Sequence, residues 1–431
     1  MKEIRPYKHI NARIEVPGSK SITQRALIAA ALAKGDSILR GPLASDDTRY
    51  TAKALRAMGV RIKKNKRSWK VSGNNGQILE PPKKLYLGNN GTATRFLASL
   101  VSLGHGVFSI TGDKRMEQRP IQPLIDALCG WGVAIRSIKE TGCPPLEVRA
   151  DGIRGGLTTL PEGRSSQYLS SLLLVAPYAA HRAKLEVAGE VYSKPYVQMT
   201  LNVMKSFGVK VIAKKDFSYF EIPRRKYLGQ DYQIEGDASS ASYFWAAAAV
   251  TEGRVEVVNV PKKSMQGDTA LVKILAEMGC LVEYSDTGIL VEGPAELKGV
   301  DVDMADCPDV VPTLAVVAAR AKGRTIIRNI GHLRIKECDR LHVMSTELNK
   351  LGVRTEEGPD YLVIEGAGAR ATLNGAVIDT HDDHRIAMSF AVAGLFVPGV
   401  RILDEGVVAK SFPDFWERFQ KLYGIERDST L

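Results

Sequence analysis

Two kinds of helical pattern alternate along this chain. The first is apolar on almost every side. In residues 18–35, GSKSITQRALIAAALAKG, a Gly-Ser-Lys-Ser turn leads into Ala, Leu and Ile with hardly a polar position. A helix that is greasy all round belongs in a core. The second kind is amphipathic and first occurs at 48–58, behind a strand-like run (37–39) and an acidic loop, Ser45-Asp46-Asp47. It ends at Gly59, since glycine alone closes a helix in the left-handed conformation cheaply. That ending recurs at Gly132, Gly208, Gly279, Gly352 and Gly424, each followed by Val, Cys or Ile, at spacings of 73, 76, 71, 73 and 72 residues. Six such endings at near-constant spacing predict an internal repeat, longer than the usual solenoid periods.

The apolar pattern returns in phase. It opens at Gly91, Ser165, Ser239, Asp309 and Asp383, residue types that suit a helix N-cap. A short strand-like run precedes each one: 85–87, 157–160, 232–234, 300–304 and 376–378. The sixth copy ends at Ile425, so the extended run 12–16 is the natural closing piece, and the first and last parts of the chain are expected to lie together. Six units of buried helix, exposed helix and short strands predict α/β layering. Six core helices around one axis would leave too large an interior. Two domains of three repeats follow, 18–235 and 1–17 plus 236–431, with hinges near Gly18 and Gly236. Three parallel core helices aim their N-termini at one end, each with about half a positive charge. Two such ends facing each other would form an electropositive cleft.

Composition narrows the class. The 431 residues are enough for two domains with large cores. With 44% apolar and 25% charged residues, the chain has the make-up of a soluble globular protein. A net charge of +11 favours anionic partners, or serves only solubility. The five cysteines (129, 143, 280, 307 and 338) are odd in number and form no CxxC pair. That predicts reduced thiols in a cytoplasm, with neither a disulfide framework nor a zinc site. The start, MKEIRPYKHI, has no apolar signal region, and no stretch reaches the length of a membrane span.

Candidate chemistry gathers in loops beside the core-helix starts. In the first half these hold Lys20, Ser21, Arg25, Asn89, Gly91, Arg95, Arg119, Ser165, Ser166, Gln167, Ser193, Lys194 and Tyr196. In the second they hold Asp309, Lys336, Glu337, Arg340, Asp383, His384, Arg385 and Lys410. For any single Ser or Lys, surface charge or capping is explanation enough. As a set they include nine Lys or Arg in short Gly- or Pro-marked motifs such as GSKS, GNNGTATR, MEQRP and SKPY. Arg grips carboxylate or phosphate with two prongs and Lys acts as a point charge, so small substrates with several anionic groups are expected. Asp309, Glu337 and His384 are the candidate proton-transfer groups. Flanking cations would lower a carboxyl pKa and burial would raise it; Asp309 suits an N-cap as well as a base, and His384 suits a loop-holding role. GSKS is not a P-loop, because Ser19 separates Gly18 from Lys20, and no GxGxxG follows a strand. His381 and His384 lack a third metal ligand at a known spacing, so no metal is expected. Tyr243, Phe244 and Trp245 read as core packing, with no base-stacking platform and no nucleic-acid partner.

On these motifs the chain closely resembles the 3-phosphoshikimate 1-carboxyvinyltransferase (5-enolpyruvylshikimate-3-phosphate synthase) family of enolpyruvyl transferases. The likeness runs through PGSKS (17–21), GNNGT (88–92), EQRP (117–120), SSQ (165–167), SKPY (193–196), EGDASS (235–240), RIKE (334–337), DR (339–340), DHR (383–385) and AKSFP (409–413). The resemblance implies two domains, each of three βαβαββ units arranged as an inside-out α/β barrel, that close over their substrates. It implies transfer of the carboxyvinyl group of phosphoenolpyruvate to the 5-hydroxyl of shikimate 3-phosphate, with release of phosphate, toward chorismate and the aromatic amino acids. No metal or organic cofactor is implied, and a monomer is expected. Carried over by position, Ser21, Arg25, Ser165, Ser166, Gln167, Ser193 and Lys336 contact shikimate 3-phosphate, and Lys20 touches both substrates. Asn89, Gly91, Arg119, Gln167, Arg340, Arg385 and Lys410 lie on the phosphoenolpyruvate side. Asp309 takes the 5-hydroxyl proton while contacting shikimate 3-phosphate. Glu337 handles the methylene proton with Lys20 or Lys410, and His384 and Tyr196 support. Asn90, Phe96 and His332 depart from common family residues and bear on subclass and on the response to glyphosate, which mimics phosphoenolpyruvate; Gly91 matches the form that leaves room there. The related transferase acting on UDP-N-acetylglucosamine differs at the first motif and uses a loop cysteine. A non-catalytic clamp on nucleic acid would need a continuous basic stripe instead.

Overall fold

The computed structural model describes residues 1–163 and 165–424; Ile425, expected to close the last repeat, lies outside the described residues. Buried and amphipathic helices alternate in pairs. These are α1 (Lys20–Leu32) and α2 (Asp46–Ala57), α3 (Gly91–Val101) and α4 (Gln122–Gly130), α5 (Ser166–Val175) and α6 (Lys194–Ser206). They continue as α7 (Ala238–Val250) and α8 (Ala270–Glu277), α9 (Val311–Arg320) and α10 (Arg340–Lys350), α11 (His384–Ala393) and α12 (Phe415–Gln420). Every residue of α7 is buried, and so is all of α1 from Ile22 on. The six repeat-ending glycines all take positive φ, between 68° and 109°, the left-handed closure that the spacing predicts.

The chain divides into two compact units, Gly18–Ile234 and Met1–Pro17 with Glu235–Leu431. Glu235, expected in the first, falls in the second. In the first unit α1, α3 and α5 pack on one another; in the second α7, α9 and α11 do. Hydrogen bonds show that α3 and α5 run parallel. Gln167 in the first turn of α5 donates to Thr92 in the first turn of α3, and Ser99 bonds Ser171 further along the same pair. Arg25 of α1 donates to Ser170 of α5, and Ser242 of α7 bonds Thr313 of α9. Small side chains (Ala, Ser, Thr, Gly) let these helices approach closely, and their hydroxyls satisfy one another where no water reaches.

Sheets surround each trio, and the pattern of the third repeat is representative. Gly156–Leu160 runs parallel to Ala183–Val187, which pairs antiparallel with Tyr219–Ile222, and Ile212–Ala213 forms the far edge. With α5 and α6 this is one βαβαββ unit. Side chains along Ala183–Val187 alternate buried and exposed, as on a strand with one wet face.

Two leading strands are exchanged between the units. Asn11–Ile14, just ahead of α1, pairs parallel with Arg254–Val257 of the fourth repeat, whereas Asp231–Gln233, just ahead of α7, pairs parallel with Asp36–Arg40 of the first. The chain therefore passes between units twice, at 17–18 and 234–235. Both passages are tight. A Cβ on Gly18 would stand 1.9 Å from the Gly41 carbonyl oxygen, and one on Gly236 within 2.6 Å of the Asn259 side chain. In the sixth repeat Lys2–Glu3 supplies the antiparallel partner of Arg401–Ile402, and Tyr423 donates to the Arg5 carbonyl at 2.8 Å. The first and last described parts of the chain thus lie together.

Candidate active site

The expected site residues form two clusters, one in each unit at the N-terminal end of its helix trio. In the unit 18–234, Ser19 caps α1 and places Lys20 in its first turn, where Nζ lies 3.2 Å from Asp47 Oδ2 at the start of α2. The Ser45-Asp46-Asp47 segment is not a loop throughout: Ser45 and Thr48 form a capping box and both aspartates sit in the first helical turn, favoured there by the helix dipole. Arg25 is 2% exposed. Its guanidinium donates to Thr200 Oγ1 (2.7 Å), the Ser21 carbonyl (3.0 Å), Ser170 Oγ (3.1 Å) and the Tyr196 carbonyl (3.2 Å). Burial pulls its pKa down to about 10, so it stays charged at neutral pH. Arg25 thus locks the Ser193–Tyr196 corner onto α5. That corner is tight, with Ser193 in the left-handed conformation at φ 55°.

Asn90 caps α3, and Gly91 is its first residue. Arg119, 3% exposed, donates to Asn89 Oδ1 at 2.9 Å. Arg95 donates to the Gly91 and Pro120 carbonyls. A Cβ on Gly91 would meet Arg119 Nη2 and Arg95 Nη1, both at 2.6 Å; glycine is what lets two guanidiniums close over this helix end. Ser165 is the cap residue of α5, followed by Ser166 and Gln167 in the first turn. Backbone N–H groups, the dipole ends and these cations together suit anionic groups.

In the other unit, Asp309 does not cap α9. It lies in a 3-10 turn, Pro308–Val310, just ahead of the helix, and Val310 occupies the cap position. Ser239 likewise lies inside α7, which Asp237 caps. The turn frees the Asp309 carboxylate for side-chain partners: Oδ2 accepts from Arg385 and Oδ1 stands 3.4 Å from Arg340 Nη1. Arg340, with a side chain 2% exposed, also donates to Glu337 Oε2 (2.9 Å) and, through Nε, to Asp383 Oδ2 (2.7 Å). Glu337 Oε1 lies 3.9 Å from Lys410 Nζ. Asp383 caps α11 by accepting from Arg385 N at 2.9 Å and places the buried His384 and Arg385 in the first turn. His384 Nδ1 stands 3.5 Å from Asp383 Oδ1, while His381 is 3.6 Å from Glu347. Lys336 follows the turn Gly331–Ile335. His332 lies in that turn, and burial, with Lys336 nearby, lowers its pKa to about 3, so its ring is neutral. Asp309, Glu337, Arg340, Arg385 and Lys410 therefore stand together, joined through Arg340 and Glu337.

Sequence reasoning named Asp383 as a helix start and a candidate beside His384 and Arg385, placed Asp47 only in an acidic loop, and left out Asp268. Asp268 is 3% exposed beside Ser239, and burial together with the Asp309 charge pushes it up to about 7. A signal for both existed: Asp47-Thr48 and Asp268-Thr269 hold matching places at the start of the outer helix in the first and fourth repeats. Cys338 was also passed over. Its thiol faces Asp383 Oδ2 at 3.5 Å, and burial raises its pKa far above the usual thiol range, so it stays protonated and unreactive. Among the described residues, no group of three or more His, Cys, Asp and Glu stands together that could hold a metal ion, and no helix is long and apolar enough to cross a membrane.

Helix trios whose N-terminal ends are ringed with cations, with carboxylates held among those cations, suit small, multiply anionic metabolites. Residues 4–419 match the family model described as EPSP synthase (3-phosphoshikimate 1-carboxyvinyltransferase). A relative from Syntrophobacter fumaroxidans named 3-phosphoshikimate 1-carboxyvinyltransferase is 45% identical, covering 98% of this chain and 99% of its own. One of the same name from Nostoc punctiforme is 43% identical over 95% of this chain and 96% of its own. A solved structure of EPSP synthase from Acinetobacter baumannii superposes with a TM-score of 0.81 at 29% identity, over 97% of each chain. The chain belongs to the EPSP synthase family.

Proposed function

We infer that this chain transfers the carboxyvinyl group of phosphoenolpyruvate to the 5-hydroxyl of shikimate 3-phosphate and releases phosphate, in the shikimate route to aromatic amino acids. Family membership supports the reaction. The single geometric observation that supports the residue roles is that one arginine, Arg340, touches both Asp309 and Glu337, the two groups we assign to proton transfer.

Protonation of the phosphoenolpyruvate methylene makes its C2 electrophilic, and the 5-hydroxyl oxygen attacks while its proton passes to Asp309. The tetrahedral intermediate then loses a proton from the new methyl group and expels phosphate, restoring the double bond. Glu337 moves the methylene proton in both directions, with Lys20 or Lys410 assisting. Fixed cations (Lys20, Arg119, Arg340, Arg385 and Lys410) stabilise the carboxylate and phosphate through both steps, and such pre-organised charge costs no reorganisation at the moment of reaction. Ser21, Ser165, Ser166, Gln167, Ser193 and Lys336 hold shikimate 3-phosphate, with Arg25 and Tyr196 keeping that corner in shape; Asn89 and Gly91 set the phosphoenolpyruvate side, and His384 supports Arg385. We read the protein as a cytoplasmic monomer working without a cofactor.

Phosphate release on mixing the protein with both substrates tests the reaction, and release only with UDP-N-acetylglucosamine as acceptor would overturn it. Asp309→Ala is expected to lower kcat by about 10²–10⁴-fold, the usual contribution of a positioned base, with little change in shikimate 3-phosphate affinity by calorimetry. An unchanged kcat would remove Asp309 from the base role.

A further inference from the structure

The steps above leave unused a buried carboxyl that lies beside Asp309. Asp268 sits in the 3-10 turn Gly267–Thr269, and this turn packs against Pro308–Val310, which carries Asp309. Ser239, in the first turn of α7, donates its hydroxyl hydrogen to Asp268 Oδ2. The charged and titratable groups facing Asp268 are Asp237 from the α7 cap, Asp309 and Cys307 from the turn ahead of α9, and Arg385 from α11. Those facing Asp309 from its other sides are Arg340 of α10, Arg385 of α11 and His332.

This arrangement answers a difficulty in the chemistry. A carboxylate bonded to two guanidiniums has a low proton affinity and makes a weak base. A second carboxylate close by reverses that, because like charges disfavour joint ionisation and titrate as a pair. We propose that Asp268 is a positioning residue for the proton transfer: its ionised carboxylate, beside Asp309, restores to the base the proton affinity that Arg340 and Arg385 withdraw. The inference rests on the assignment of Asp309 as base. Asp268 changes charge near neutrality, pushed up to about 7 by burial and by Asp309. Below that pH it is protonated and its help is lost; above it, the base is activated.

The test is the pH dependence of kcat/KM for phosphate release, measured on the full chain and its variants. The parent protein is expected to gain activity as pH rises through neutrality. Asp268→Asn should lose that limb and run about tenfold slower at pH 8, the scale of one unit of base strength, with unchanged shikimate 3-phosphate affinity. Ser239→Ala removes a hydroxyl that favours the ionised carboxylate, so its limb should move to higher pH. Substrate phosphates also titrate in this range, but identically for all variants. Limbs unchanged in both variants would overturn the proposal. If Asp268→Asn does not fold, the Ser239→Ala limb alone decides. Asp309→Ala separates the two readings: if it keeps full turnover, the base assignment fails; if it abolishes turnover while the Asp268→Asn limb persists, only the present inference fails.

Discussion

Arg340 shows how a charge is kept inside a protein. Its side chain is 2% exposed and its pKa is raised because Asp383, Glu337 and Asp309 outweigh the cost of burial. Removing one partner from such a buried pair leaves an uncompensated charge. Asp383→Ala should therefore cost about 3–5 kcal/mol of folding stability, read by urea denaturation, because it also uncaps α11. Gly91 illustrates the opposite constraint, a missing atom. Gly91→Ala would push its Cβ to 2.6 Å from two guanidiniums that are themselves buried. The displaced Arg119 should raise KM for phosphoenolpyruvate about tenfold or more, a misplacement cost of the kind a small shift of a positioning group brings, and leave KM for shikimate 3-phosphate nearly unchanged in steady-state assays. At this scale the sequence could nominate candidate site residues, because their short motifs stand out from the apolar helices. Asp268 and Cys338 stayed hidden, since each matters only through a neighbour far along the chain.

Helices were the most legible elements. Six apolar runs and six glycine closures reveal themselves through composition and spacing, which need no partner to be seen. Their first turns were less so: Asp309 and Ser239 look like caps locally, but a 3-10 turn and Asp237 take those places. Hydrogen bonding at a helix start depends on which donors the preceding loop can reach. The closures allow a graded test. A Cβ on Gly279 meets its nearest atom at 3.6 Å, whereas one on Gly59 lies 2.8 Å from Leu79 Cδ1. Gly279→Ala should cost about 1–2 kcal/mol for the left-handed backbone alone, and Gly59→Ala measurably more, compared by thermal or urea unfolding.

Across the whole molecule the positive charge gathers not only at the helix starts but also in one basic stretch of the first repeat. Residues 49–70 hold nine Lys or Arg and no Asp or Glu, against a net charge of +11 for the chain. They lie on α2 and on the hairpin Arg61–Lys64 and Ser68–Ser72, whose first strand is a sheet edge. Cations along an edge discourage pairing with another chain. The hairpin folds back along α2: Gly41, just ahead of that helix, donates to the Arg67 carbonyl at 2.8 Å, and the charges of Arg56 and of Arg49, in the first turn of α2, both bear on Lys64. Replacing Lys63, Lys66 and Arg67 with Glu removes that run of cations from the sheet edge and is expected to make the protein prone to associate, as light scattering would show.

Alternating apolar and amphipathic periods, with their glycine stops, determined the six repeats, the α/β layering and the cation-rich make-up of the loops, because each is a local or periodic property. Which strands changed places between the two units, which carboxylates share Arg340 and Arg385, and which buried acid stands beside Asp309 were decided only in three dimensions. These depend on burial and on distances between groups tens to hundreds of residues apart, and no pattern along the chain encodes either.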